Sequence, residues 1–195
     1  MPNWCWTRIT INHESEIELE KFDKLLDEWT NKDYMDNGFG YNWLGNIVLG
    51  SGVGTINTNK ETDLRCRGTI TEHWIENGTL HIDTETAWSP MLQMWVKILD
   101  KYLPDAEWVY EAEECGNGVQ CTNDPDLMGK YVIDYYGDKD IESDWEASKE
   151  VVRLTLQELL DTTEIDVEKL IEMVYEDDYD ISVRKWEWAE VNEFE

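Results

Sequence analysis

LHIDTETAWSPML, residues 80–92, decides how the rest of the chain is read. Leu80, Ile82, Thr84 and Thr86 alternate with His81, Asp83, Glu85 and Ala87, the period of two expected of a strand with two unlike faces. The rule then changes. Trp88-Ser89-Pro90 offers a hydroxyl for a helix N-cap and a proline for the first helical position, where its missing N–H costs nothing. Met91, Leu92, Trp95, Ile98, Leu99 and Tyr102 follow at helical spacing, and Pro104 ends the run. This stretch therefore predicts a strand ending at Ala87 and a helix starting at Pro90.

Working outward toward the N-terminus, Glu76-Asn77-Gly78-Thr79 is a hairpin turn, with Leu64 to Trp74 as the strand before it and Thr79 to Ala87 as the returning partner. WCWTRITIN, residues 4–12, alternates and is rich in β-branched and aromatic side chains, which predicts a first strand. Ser15-Glu16-Ile17-Glu18 has the form of a capping box, and Ile17, Phe22, Leu25, Leu26 and Trp29 make one helical stripe behind it. Residues 34–42 carry turn chemistry, residues 43–49 predict a short helix closed by Gly50 or Gly52, and residues 53–63 predict a loop. The GSGVG glycines do not make a phosphate loop, because no Lys-Ser or Lys-Thr pair follows them.

Toward the C-terminus, Glu107 to Ala112 is another strand, and Gly116-Asn117-Gly118 turns it toward Val119 to Thr122, with Tyr131 to Tyr135 continuing that edge. The order through residue 122 is strand, helix, short helix, strand, strand, helix, strand. With the short helix set aside this is the βαββαβ of a ferredoxin-like sandwich, an α+β fold with an antiparallel sheet and helices on one face.

The texture changes at residue 138, which divides the chain into a ferredoxin-like domain over 1–137 and an acidic extension over 138–195 expected to pack on it. Trp145, Val152, Leu156, Leu159 and Leu160 form one helical stripe, and Val167, Leu170, Ile171 and Val174 form a second, together a helical hairpin. ISVRKWEWAEV, residues 181–191, reads as a final strand with Trp186 and Trp188 on one side.

Charge is the loudest property of the composition: Asp+Glu 44 against Lys+Arg 16 gives a formal net charge of −28. Binding a phosphate backbone needs Lys and Arg to release counterions, so the field of this chain has the wrong sign for nucleic acid. Either the surface imitates nucleic acid and docks on a basic protein, or the acidity serves solubility. Residues 138–195 hold 20 acids and 6 bases, half of the net charge in under a third of the chain. Glu176, Asp177, Asp178 and Asp180 are its densest point, and with Glu172, Trp186 and Trp188 they are the candidate partner-binding residues, since tryptophan is favoured in interface cores.

Other constellations are weaker. His81, Asp83 and Glu85 share one strand face, with Glu72 or His73 available from the neighbouring strand, and such a set can bind a divalent metal; the plainer reading is the solvated face of a half-buried sheet. Arg65 and Arg67 suit internal pairing with Glu85 or Glu72. Trp4, Trp6, Trp43, Trp74, Trp88 and Trp95 are expected in the core. Cys5, Cys66, Cys115 and Cys121 make no C-x-x-C pair and read as reduced packing cysteines. No apolar run is long enough for a membrane span, and MPNWCW lacks the layout of a signal peptide, so the expected compartment is the cytosol. The expectation is of no catalytic residue, metal or cofactor.

Met1-Pro2-Asn3-Trp4-Cys5, Trp43-Leu44-Gly45-Asn46, Arg65-Cys66-Arg67-Gly68 and Thr84-Glu85-Thr86-Ala87-Trp88-Ser89-Pro90 occur in that order. Together they resemble the YubB-like ferredoxin-like proteins, carried mostly by phages, plasmids and integrated elements, over about residues 1–136. The resemblance implies a ferredoxin-like fold and a mobile-element setting, and it implies no reaction. With the charge, it leads to the expectation of a non-enzymatic phage accessory protein. Such a protein would be a nucleic-acid mimic that inhibits a basic host protein, for example a CRISPR effector or restriction nuclease. The alternatives are a structural or regulatory interaction module and, behind it, a metal-dependent enzyme built on His81, Asp83 and Glu85.

Overall fold

The computed structural model describes residues 3–36, 38–114, 116, 119–176 and 179–193, with five α-helices and nine strands among them. The chain is mixed α+β and divides into two compact units, Met1–Asn123 with Ala189–Glu195, and Asp124–Trp188. The first unit thus runs to Asn123 and takes up the chain again from Ala189.

The first unit runs β1 (Trp4–Asn12), α1 (Glu16–Thr30), α2 (Leu44–Ser51), β2 (Gly68–Glu76), β3 (Thr79–Ala87), α3 (Leu92–Tyr102), β4 (Glu107–Glu114) and β5 (Val119–Thr122). The sheet order is β2-β3-β1-β4-β5 with every pairing antiparallel. Alternation sets the faces. Cys5, Ile9 and Ile11 of β1 and Leu80 and Ile82 of β3 are fully buried in one cluster with Leu19, Phe22 and Leu26 of α1, Ile47 and Val48 of α2, and Trp95 and Ile98 of α3. All three helices therefore lie over one face of the sheet, and the other parity of every strand faces away from them.

The β2–β3 hairpin turns through Asn77 (φ 51°) and Gly78 (φ 82°), the two left-handed residues that a tight hairpin needs. β2 starts later than the sequence predicts. Residues 64–67 are irregular, with the Leu64 N–H donating to the Thr55 carbonyl, and Gly68 opens the strand where a Cβ would lie 2.2 Å from the Glu85 carbonyl oxygen. A bulge between Ile70 and Glu72 then shifts the register by one residue.

The helix after β3 begins at Leu92 rather than Pro90, and Met91 occupies the cap position with no side-chain bond. Trp88 takes φ 77° while its N–H donates to the Asn3 carbonyl, and the Thr86 hydroxyl donates to the Ser89 carbonyl. These bonds hold the chain in a turn through Ser89 and postpone the helix. Ser15 does sit at the cap of α1, but its side chain makes no cap bond, and its own N–H donates to His13 Nδ1. On α1 it is Leu19, not the exposed Ile17, that enters the core.

The second unit is more than a helical hairpin. It runs β6 (Tyr131–Tyr135), β7 (Asp144–Ala147), α4 (Lys149–Leu160), α5 (Val167–Glu176) and β8 (Ile181–Lys185), with an antiparallel sheet in the order β7-β6-β8. Tyr131, Ile133, Ala147, Ile181 and Val183 pack with Val152, Leu156, Leu159, Val167, Leu170 and Val174 in a core of its own. Residues 131–135 are therefore the centre of this sheet and not the edge of the first. Trp145 belongs to β7, leaving the α4 stripe to begin at Val152; Ser148 caps that helix by accepting the Val151 N–H. β9 (Glu187–Trp188) precedes the return to the first unit, where the Ala189 N–H donates to the Thr122 carbonyl and the Tyr110 hydroxyl donates to the Ala189 carbonyl.

No helix of the described residues is long and apolar enough to cross a membrane.

Candidate functional site: the open face of the first sheet

The strand positions that point away from the helices form the most organised polar surface of the first unit. From β1 these are Trp4, Trp6, Arg8 and Thr10, in register with Ala87, Glu85, Asp83 and His81 of β3. On the other side, Trp6 and Arg8 lie opposite Glu113 and Glu111 of β4. β2 adds Glu72 opposite Asp83 and Trp74 opposite His81.

Arg8 is the centre. Its Nε donates to Asp83 Oδ1 at 2.8 Å and its Nη2 to Asp83 Oδ2 at 2.7 Å, a two-pronged pairing across the β1–β3 ladder. The guanidinium carbon lies 5.1 Å from the Trp6 ring and 5.1 Å from the Trp74 ring. His81 stacks on Trp74 at 5.0 Å, and its Nδ1 is 3.4 Å from the Thr10 hydroxyl. Electrostatics follow from this packing. The bond to Asp83 raises the Arg8 pKa above its ordinary value against the opposing cost of burial, while burial and then the Arg8 charge lower that of His81. The imidazole is accordingly held neutral beside a fixed cation.

The rim is acidic. Glu72, Glu76, Glu85 and Glu107 are exposed and Glu111 is half-buried. Arg8 is the only lysine or arginine in strands β1 to β5. Trp4 is 56% exposed, Trp88 at the end of β3 is 46% exposed, and Trp6 and Trp74 are half-buried. Of the six tryptophans expected in the core, Trp43 and Trp95 are there, whereas these four are not. The signal was in the parity: Trp4 and Trp6 alternate with Cys5, Ile9 and Ile11, and they share their parity with Arg8.

His81, Asp83 and Glu85 do not converge on a metal position. Asp83 is committed to Arg8, His81 to Trp74 and Thr10, and among the described residues no group of three or more His, Cys, Asp and Glu is placed to hold an ion. His73 faces the helix side, where its Nδ1 lies 2.6 Å from Asp23 of α1. Arg65 and Arg67 precede β2 instead of lying on it.

The candidate residues of the acidic tail lie on α5 and between it and β8. Glu172 is exposed on α5, Glu176 ends that helix, Asp180 is exposed before β8, and Asp177 and Asp178 lie outside the described residues. Trp186 and Trp188 are not an exposed pair. Trp186 is 1% exposed, packed against Leu127 and Val132, with its indole N–H donating to the Trp145 carbonyl, so it is a core residue of the second unit and is not available to a partner. The alternation that would have aligned it with Trp188 breaks where β8 ends at Lys185. Trp188 is 44% exposed.

No protein-family model, curated protein or solved structure matches this chain.

Proposed function

We propose that this chain is a non-enzymatic accessory protein of a phage or other mobile element. In this reading its acidic surface imitates nucleic acid and occupies the binding channel of a basic host protein, of the class of CRISPR effectors and restriction nucleases, in the host cytosol. The observation that carries the reading is the net charge of −28. A field of that sign and size draws a cationic protein in and keeps phosphate out. The distribution of cations supports it: Lys21, Lys24, Lys130, Lys149, Arg153 and Lys169 each pair with a nearby carboxylate, so these side chains sit inside acidic surroundings instead of gathering into a basic patch. The mobile-element setting rests on the resemblance to YubB-like proteins. The spatial order β4-β1-β3-β2, with helices on one face, supports reading the first unit as ferredoxin-like.

The test is capture of partners from host lysate at low and high salt, with and without excess duplex DNA, identified by mass spectrometry. The reading requires a nucleic-acid-handling protein that is retained at low salt, released at high salt and displaced by DNA. Retention of no such protein at low salt removes it.

The exposed Trp4 and Trp88 favour a second reading, an interaction module whose acidity serves only solubility. Under that reading, neutralising Glu176, Asp177, Asp178 and Asp180 together leaves partner binding intact.

A further inference from the structure

We infer that the open face of the first sheet is the docking surface for an arginine- or lysine-bearing segment of the partner protein, with Trp4 and Trp6 as apolar anchors and Glu72, Glu76 and Glu85 as the charge complement. The inference rests on the reading above and places the contact on one face.

Three observations on this face agree on the occupant. First, the helices of the first unit all lie on the other side of its sheet, and over β2, β3 and β1 this face carries tryptophans where an exposed sheet face ordinarily carries Thr, Lys or Glu, while Glu113, Gln120 and Thr122 on its β4–β5 side are buried. Tryptophan is the residue most enriched in the energetic centres of protein interfaces, and exposed indoles cost solubility unless something covers them. Secondly, the charges around the indoles are of one sign, with the single strand cation, Arg8, already held by Asp83. A cationic side chain arriving at Trp6 finds the exposed Glu85 beside it in the strand register, whereas Glu113 on the other flank is buried. Phosphate meets the same carboxylates as repulsion, which separates a basic protein from a single-stranded nucleic acid that would otherwise stack on such indoles.

Thirdly, Arg8 shows what chemistry the face supports. Its guanidinium lies between two indoles and against a carboxylate, the combination of cation–π attraction and two-pronged hydrogen bonding that suits arginine better than any other side chain. Spacing extends the match. Alternate residues of a strand lie roughly 7 Å apart. An extended partner segment presenting alternate basic residues therefore has the same repeat as Trp4 and Trp6.

The probe is a nine-residue arginine peptide, titrated calorimetrically into the whole protein at low salt, with a glutamate peptide of equal length as control. Three variants decide the matter. The first neutralises the face, Glu72→Gln with Glu76→Gln and Glu85→Gln. The second removes the same charge elsewhere, Glu28→Gln with Asp105→Asn and Glu20→Gln, all exposed positions of the first unit off this face. The third is Trp4→Gln, at a position exposed enough that circular dichroism should stay unchanged. The face variant and Trp4→Gln are each expected to weaken arginine-peptide binding about tenfold, while the displaced-charge variant changes it less than about threefold. Equal losses in the two charge variants, or no loss in Trp4→Gln, overturn the inference and leave the general reading standing. If the arginine peptide does not bind the unmodified protein at all, both fall.

Discussion

Arg8 and Asp83 face each other across the β1–β3 ladder, and the guanidinium donates two hydrogen bonds to the carboxylate, 2.8 and 2.7 Å long, beside the indoles of Trp6 and Trp74. The Asp83 side chain is only 11% exposed and that of Arg8 34%, so the pair sits between the buried and the screened limits. Its geometry organises the face: the guanidinium spaces the two indoles, and the carboxylate fixes the guanidinium.

Removing one partner strands the other. Arg8→Ala leaves the Asp83 carboxylate largely buried without a counter-charge, and we expect a loss of about 2 kcal/mol in urea unfolding, below the value for a fully buried pair because Arg8 reaches solvent. Arg8→Lys keeps the charge but loses the fork and the flat contact with the indoles, and should recover less than half of that loss. Combining Arg8→Ala with Asp83→Asn should restore part of the stability. A double variant whose loss is the plain sum of the singles would mean that the two side chains are not coupled.

His81 contributes a pH dependence of defined sign. It faces Arg8 and Thr10 of β1 and Trp74 and Glu76 of β2, with Asp83 two residues on along its own strand. Burial and the Arg8 charge lower its pKa below the ordinary value of 6.5. The unfolded chain then takes up the proton first as pH falls, so the contribution of His81 is complete above the ordinary value and is lost as pH falls through the folded one. The stability difference between the wild type and His81→Gln should therefore shrink or reverse from pH 7.5 to pH 5, whatever the many carboxylates do in both proteins alike. Parallel stability curves would contradict this.

Burial pushes the thiols of Cys5 and Cys66 up to about 11 each. At pH 8 about one thiol in a thousand would be ionised, and packing excludes reagents from the remainder. Peptide mapping after iodoacetamide treatment should find both positions unmodified in the native protein and modified in urea. Rapid native labelling of either one would show that the core around it opens far more readily than its packing implies.

Much of the first unit was legible because its strands alternate cleanly. The β3 boundaries at Thr79 and Ala87, the Asn77-Gly78 turn and the α2 stop at Gly52 all follow from local chemistry. The start of α3 did not follow, because Ser89-Pro90 is a good local cap and only the pairing of Trp88 with Asn3 takes the chain elsewhere. The second sheet was hidden for a different reason. β7 has four residues, too few to show a period, and the partner of β6 is chosen by the burial of Tyr131 and Ile133 against α4 and α5 rather than by anything in residues 131–135 alone.

The open face was half legible. Alternation places His81, Asp83 and Glu85 on it, but tryptophan in a strand suggests core, whereas Trp4, Trp6 and Trp74 lie on the side away from the helices. Which neighbour Asp83 would choose depended on a register between β1 and β3 that spacing does not fix. Trp186 fails in the opposite direction: framed by Lys185 and Glu187 it reads as exposed, and only its bond to the Trp145 carbonyl shows it inside.

The central claim is that this acidic chain takes the place of nucleic acid on a basic protein, and the salt dependence of that binding tests it most directly. With the captured partner purified, the dissociation constant should rise linearly with salt on a logarithmic plot, with a slope of about five or more, as for a protein releasing that many phosphate contacts, and duplex DNA should compete in proportion to its own affinity. A dissociation constant that is flat between low and physiological salt, and indifferent to DNA, would contradict the claim.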